Sequence, residues 1–271
     1  MQEKNLEKEI VCMRKGEDDV YLKIRLGNPS DTPRPALLIL PGGGYEFCSG
    51  READPIADAF IERGYHCFIL YYSVKEKSKY PRPLIDAANA MKHIKDNAKK
   101  YNVDAEHVYA CGFSAGGHLC GMLGTVWHRD IIQKEIPSMA YGYCKPTAVI
   151  LCYPVLSGHK YGHVGTLANI SGGELTEEMR SFFSVDEQID ERSSPAFLVH
   201  TVSDDLVPVE NAFLAMKAYR KANVPFEAHI FPYGPHGLAL ANSITSEGKK
   251  ILEDESYAKW VAMADEIMRR F

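Results

Sequence analysis

Residues 110–118 read ACGFSAGGH, one hydroxyl at Ser114 set among Gly112, Gly116, Gly117 and two alanines. A serine hydroxyl is a weak nucleophile until a base takes its proton. Tiny residues two positions before and two after it are what a sharp strand-to-helix turn needs if it is to hold that hydroxyl up to a substrate. The G-x-S-x-G match is short, but its flanks strengthen it: an apolar HVYAC run precedes it and the helix-compatible HLCGMLGTVW follows. A phosphate-binding turn is the alternative. The segment lacks both G-x-x-x-x-G-K-[ST] and G-x-G-x-x-G, so a nucleophilic serine is the better reading.

Such a serine needs an imidazole, and the imidazole needs a carboxylate to hold it. In strand–turn–helix sites of this kind the chain order is serine, acid, histidine. Ten histidines compete. His66, His107, His200 and His229 fall in strand-like runs, His93 and His128 on helical ones, and His118 precedes any acid in that order. Apart from the pair His159 and His163, His236 remains, in the loop FPYGPHGLAL after the last strand-like run. The acid is sought in HTVSDDLVPVENA, where the spacing to Val207-Pro208 favours Asp204 and keeps Asp205 in reserve. An oxyanion hole needs backbone N–H groups. Ala115, directly after the serine, is one expected donor. Gly43 and Gly44, in the PGGGY that follows an apolar run, are the others. The pair His159 and His163 has helical i, i+4 spacing, but Gly158, Gly162 and Gly165 disfavour a helix and no third ligand is evident. Neither metal nor cofactor is expected.

Positioning these groups requires a sheet. Apolar runs at 20–26, 35–41, 65–72, 107–112, 147–155, 196–202 and 226–232 read as strands. Helical stretches at 51–63, 84–98, after Ser114, at 208–222 and at 249–270 alternate with them. That alternation predicts right-handed crossovers and a mostly parallel sheet covered on both faces. No repeat or linker interrupts it, so residues 1–271 are expected to form a single domain. The least regular segment, 156–183, reads as an insertion that serves as a lid or pocket wall.

Length and composition agree with one α/β domain. The chain has 271 residues, 45% hydrophobic and 25% charged, with a net charge of −5. Lysines and arginines are scattered, which argues against nucleic acid or an anionic membrane as a partner. The charged N-terminus MQEKNLEKEI lacks the apolar core of a signal peptide, and seven dispersed cysteines read as small buried hydrophobes in a reducing compartment. A cytoplasmic location is therefore expected.

Taken together, LPGGGY (40–45), GFSAGGHL (112–119), HTVSDDLVPVENA (200–212) and FPYGPHGLALA (231–241) resemble the α/β-hydrolase esterases grouped with acetyl esterases, acetyl xylan esterases and hormone-sensitive-lipase-like enzymes. The resemblance runs from about residue 20 to the end of the chain. It implies the α/β-hydrolase fold, with a sheet of roughly eight strands, and Ser114, Asp204 and His236 as a triad working through an acyl-enzyme. One departure is Pro41 where many relatives carry the histidine of HGGG, which removes a side chain that helps to hold the loop.

Tyr45, Phe47 and Tyr72 lie near strand ends and are candidates for pocket walls, packing alone being the alternative. Aromatic crowding without a long apolar lid helix favours short acyl groups. The expected function is deacetylation of small esters, acetylated sugars or oligosaccharides. Two alternatives are a serine peptidase of prolyl-oligopeptidase type, whose large N-terminal propeller is not in this sequence, and a non-catalytic binding protein that keeps the fold.

Overall fold

A computed structural model describes residues 9–271. Its strands are β1 (Glu9–Cys12), β2 (Tyr21–Arg25), β3 (Arg34–Leu40), β4 (His66–Tyr71), β5 (Val103–Phe113), β6 (Val149–Cys152), β7 (Ala196–Thr201) and β8 (Phe226–Phe231). They form one eight-stranded sheet in the order β1-β2-β4-β3-β5-β6-β7-β8. The pairs β1/β2 and β2/β4 are antiparallel, and every other neighbouring pair is parallel. This is the mostly parallel, helix-covered sheet of the α/β-hydrolase fold.

The helices are α1 (Asp54–Ile61), α2 (Arg82–Asp96), α3 (Ala98–Tyr101), α4 (Ser114–Val126), α5 (Asp130–Glu135), α6 (Val164–Ser171), α7 (Glu177–Phe183), α8 (Val185–Gln188), α9 (Glu210–Ala222) and α10 (Trp260–Met268). No helix among the described residues is long and apolar enough to cross a membrane.

The central strands read as unbroken apolar runs because both of their faces are buried. Alternate residues still go to opposite sides. Leu38, Leu40, Phe68 and Leu70 pack with α2 and α4, while Leu37, Ile39, Cys67 and Ile69 pack with α1 and α10. Each fully buried leucine or isoleucine of this kind contributes about 1.5–3 kcal/mol relative to an exposed one. Cys111, Cys120 and Cys152 are buried among these side chains with free thiols.

Three sequence expectations change. β1 was not anticipated: its four residues alternate between half-buried and exposed, too short a pattern to stand out. The expected long helix over 249–270 is two short 3-10 turns followed by α10. Asp254 is the reason, since its carboxylate accepts the Tyr257 N–H at 2.7 Å and starts a new helical turn there. The segment 156–183 contains α6 and α7 rather than irregular chain throughout. The His163 ring accepts the Thr166 N–H and the Thr176 hydroxyl accepts the Met179 N–H, so each helix has a side-chain cap. Gly172, with φ +80°, ends α6.

Candidate active site

β5 runs directly into α4, and Ser114 sits at the junction with φ +51°, a left-handed conformation costly for a residue with a Cβ. Neighbouring backbone leaves no room for side chains. A Cβ on Gly112 would lie 2.2 Å from the Gly116 carbonyl oxygen, and one on Gly116 would lie 2.1 Å from that of Leu40. The glycines let β3, β5 and α4 close around the turn.

His236, from the loop after β8, places Nε2 2.8 Å from Ser114 Oγ, and its Nδ1 lies 2.7 Å from Asp204 Oδ2. Asp204 belongs to the loop after β7, where Oδ1 accepts the N–H groups of Val207 at 2.8 Å and Leu206 at 3.1 Å. Burial pushes the Asp204 carboxyl up, but hydrogen bonds from His200 and His236 outweigh it and hold the group well below the usual carboxylate range. An ionised Asp204 only accepts, so His236 Nδ1–H donates to it and Nε2 is left to accept the Ser114 O–H. Such a chain can pass a proton from hydroxyl to imidazole. Asp205, the reserve acid, is exposed to solvent.

His200, placed by sequence only in a strand-like run, is fully buried in β7 against the same aspartate. Its Nε2–H donates to the Val207 carbonyl at 2.9 Å and lies 3.2 Å from Asp204 Oδ2. The loop that carries Asp204 is thus held from inside the sheet.

The glycine loop after β3 lies beside the serine: a Cβ on Gly42 would be 3.0 Å from Ser114 Cβ. Gly43 has φ +129°, and a Cβ there would meet the Phe47 carbonyl oxygen at 2.1 Å. The Gly43 carbonyl accepts the N–H groups of Glu46 and Phe47, and Asn169 Nδ2 donates to Gly44 O at 2.9 Å. Among the described residues the Gly43 and Gly44 N–H groups have no acceptor. Ala115 heads α4, where N–H groups have no partner within the helix.

With no histidine at position 41, other groups hold this loop. Glu52 Oε2 accepts the Gly42 N–H at 2.8 Å, and the Tyr72 hydroxyl donates to the Pro41 carbonyl at 2.5 Å. Glu52 Oε1 also accepts the Tyr153 hydroxyl at 2.7 Å, and that hydroxyl accepts the Ala239 N–H at 3.0 Å. The Tyr153 ring packs edge-on against His236, with centroids 5.0 Å apart. Burial holds the Glu52 carboxyl above the usual carboxylate range, and the bonds from Tyr153 and Gly42 offset only part of that rise. Glu52 and Tyr153 therefore tie the glycine loop to the histidine loop. Neither carries a sequence motif.

A cavity of about 490 Å3 opens over Ser114 and His236, walled in part by Gly43, Gly44, Phe47, Glu52 and Asn169. Phe47 lies on its wall. Tyr45 and Tyr72 do not: both are buried beneath the loop. The Tyr45 hydroxyl meets His118 Nδ1 at 2.9 Å, and His118 Nε2 lies 2.9 Å from the Phe183 carbonyl. Burial lowers the His118 pKa to about 4, so the ring is neutral, donates from Nε2 and accepts from Tyr45. His159 and His163 do not meet: His159 lies between Glu177 and Glu187, and His163 caps α6. Among the described residues no group of three or more His, Cys, Asp or Glu side chains is arranged to hold a metal ion.

The chain is 37% identical over 215 residues to the endo-1,4-beta-xylanase B of Butyrivibrio fibrisolvens, covering 78% of this chain and 34% of that protein. It is 28% identical over 219 residues to an acetylxylan esterase of Xylanibacter ruminicola, covering 79% and 42%. The chain thus spans less than half the length of either relative. Solved structures match over nearly the whole chain. An acetyl ester-xyloside bifunctional hydrolase from Caldicellulosiruptor lactoaceticus superposes with a TM-score of 0.83 at 29% identity, covering 97% of this chain and 96% of that one. A carboxylesterase from Lactobacillus plantarum gives 0.84 at 26% identity, covering 98% of both. The BD-FAE family model matches residues 22–218, a span that takes in Ser114 and Asp204 and stops before His236. On this match and this fold, the chain belongs to the BD-FAE family of α/β-hydrolase carboxylic ester hydrolases.

Proposed function

We propose that the protein removes short acyl groups, acetyl above all, from esterified sugars or oligosaccharides such as acetylated xylan fragments, through an acyl-enzyme on Ser114. The observation that carries this reading is the Ser114–His236–Asp204 hydrogen-bonded chain at the floor of a cavity of about 490 Å3. Two relatives named for acetyl ester or acetylxylan hydrolysis support the choice of substrate.

In the proposed reaction His236 Nε2 takes the Ser114 proton as Oγ attacks the ester carbonyl. The negative charge on the carbonyl oxygen falls to the amides of Gly43, Gly44 and Ala115, where each donor is worth about 3–4 kcal/mol in the transition state. His236 then protonates the departing ester oxygen, which leaves as the sugar hydroxyl; water, deprotonated by the same nitrogen, attacks the acyl-enzyme, and that proton returns to Ser114 Oγ as the acid is released. Asp204 stays ionised and fixes the imidazole tautomer.

A second reading concerns the acyl group. Phe47 is 56% exposed and lies on the cavity wall, where its ring is available to stack on an aromatic acyl group such as feruloyl.

The test is hydrolysis of p-nitrophenyl acetate, butyrate and octanoate and of acetylated and feruloylated xylo-oligosaccharides, by wild type and Ser114→Ala. Acetate release from the sugars that vanishes in the variant, with octanoate poor, is the expected result. Preference for the feruloyl ester would select the second reading. Silence of the folded protein on every ester would overturn both.

A further inference from the structure

We infer that the cavity over Ser114 continues into a second groove that binds a neutral glycosyl unit of the substrate's alcohol. This inference rests on the sugar-ester reading above. Glu46 and Asn169 wall both hollows, so the two meet along a shared edge. The second measures about 590 Å3 and extends to Lys75, Glu76 and Lys79 after β4, and to Gly172 and Gly173 at the end of α6. That volume is in the range of small-ligand sites. An acetyl group needs only the space next to Ser114, so room beyond it falls to the larger half of the ester.

The groove's chemistry identifies that half. Neighbouring Lys77 is paired with Glu17 and Asp19. Among the described residues, Lys75, Lys79, Glu46 and Glu76 take part in no ion pair, although all four line one hollow. Two cations and two carboxylates cancel in net charge, which disfavours selection of an anion. They leave ammonium donors and carboxylate acceptors side by side. A sugar hydroxyl both donates and accepts, so a ring of adjacent hydroxyls matches this mixture better than an apolar or singly charged group does.

The floor is rigid. The Ser78 hydroxyl lies 2.5 Å from the Lys75 carbonyl and 2.9 Å from that of Asn169, joining the two sides of the groove. Gly173, at φ +122°, has nothing within 4 Å of where a Cβ would stand, which keeps that end open.

Asn169 links the groove to the reaction. Its Nδ2 donates to Gly44 O at 2.9 Å, leaving Oδ1 to accept a sugar hydroxyl. A glycosyl unit in the groove therefore steadies the side chain that holds one end of the glycine loop. Binding energy from a part of the substrate remote from the ester then bears on the reacting centre.

The test compares acetate release from a monoacetylated xyloside with release from an acetylated neutral xylo-oligosaccharide, for wild type, the double variant Lys75→Ala/Lys79→Ala, and Lys99→Ala on α3, outside both hollows. Wild type is expected to favour the oligosaccharide in kcat/KM by about ten-fold, the worth of one or two charge-assisted hydrogen bonds. The double variant should bring that ratio to within about two-fold of unity, and Lys99→Ala should keep it. Equal kcat/KM on both sugars in wild type, or a ratio that survives the double variant, overturns the groove and leaves the sugar-esterase reading standing. A stronger preference for a uronate-bearing oligosaccharide, erased by salt, overturns the neutral-ligand assignment. Hydrolysis of p-nitrophenyl acetate without acetate release from either sugar overturns the sugar-esterase reading and the groove with it.

Discussion

Glu52 Oε2 accepts the Gly42 N–H at 2.8 Å, so a buried carboxylate anchors the glycine loop that lies against Ser114. The same carboxylate reaches Tyr153, whose hydroxyl holds Ala239 three residues beyond His236. Removing it frees the amides proposed to hold the oxyanion and the loop that carries the proposed base. Glu52→Ala is expected to lower kcat by about 10- to 100-fold with KM little changed, because the lost order matters most in the transition state. Glu52→Gln keeps one acceptor oxygen and should recover most of that loss. Steady-state kinetics on p-nitrophenyl acetate, with circular dichroism to confirm folding, would decide; equal kcat in wild type and Glu52→Ala would refute the positioning role.

The two adjacent aspartates are expected to behave very differently. Asp204 is buried and bonded to His236, while Asp205 is exposed. Asp204→Asn removes the acceptor that fixes the imidazole tautomer and should cost about 10^4 in kcat. Asp205→Asn should stay within about two-fold of wild type, as isolated surface changes do. Comparable losses from both variants would mean that the acid is shared or misassigned.

How much of this was readable in advance follows from where the constraints are local. The turn at Ser114 announces itself because three chain segments meet there and only glycine fits at Gly112 and Gly116. Asp204 and His236 follow from chain order and from their places after β7 and β8. Tyr45 and Tyr72 are different. They flank the site in sequence, but which side of the loop each ring takes is decided by packing: Tyr45 turns inward to His118 and Tyr72 to the Pro41 carbonyl. Glu52 lies ten residues from Gly42, an offset with no periodicity that pattern reading detects. Charged residues are rarely buried, so sequence alone gives no reason to put Glu52 inside.

His118 makes stability depend on pH. Its folded pKa, lowered by burial to about 4, lies below the ordinary histidine value of about 6.5, so the unfolded chain binds a proton the folded one refuses. The contribution is complete above about pH 6.5 and is lost as pH falls toward 4, on the order of 3 kcal/mol in all. Other groups titrate in the same window, so the quantity to measure is the difference between wild type and His118→Gln in urea-unfolding free energy at pH 7.5 and pH 4.5. The variant should lack a large part of the acid-induced loss. Identical pH slopes would place the destabilising protonation elsewhere.

Gly116→Ala tests the geometry from which the site is built. The added methyl would meet the backbone oxygens of Leu40 and Pro41 at 2.1 and 2.4 Å, and these belong to the end of the central strand β3 and the start of the glycine loop. Backbone on both sides cannot swing away as a flexible side chain would. Either α4 shifts off the sheet or the glycine loop is pushed away from Ser114. The first outcome costs about 1–3 kcal/mol of stability, the usual penalty for overpacking. The second spares stability but misplaces the proposed oxyanion donors, and kcat falls by about 10²-fold for a displacement near 1 Å. Measuring Tm and kcat on the same preparation separates the two. Loss of at least one is required; a variant with wild-type Tm and kcat would show that β3 and α4 are not in contact at Gly116.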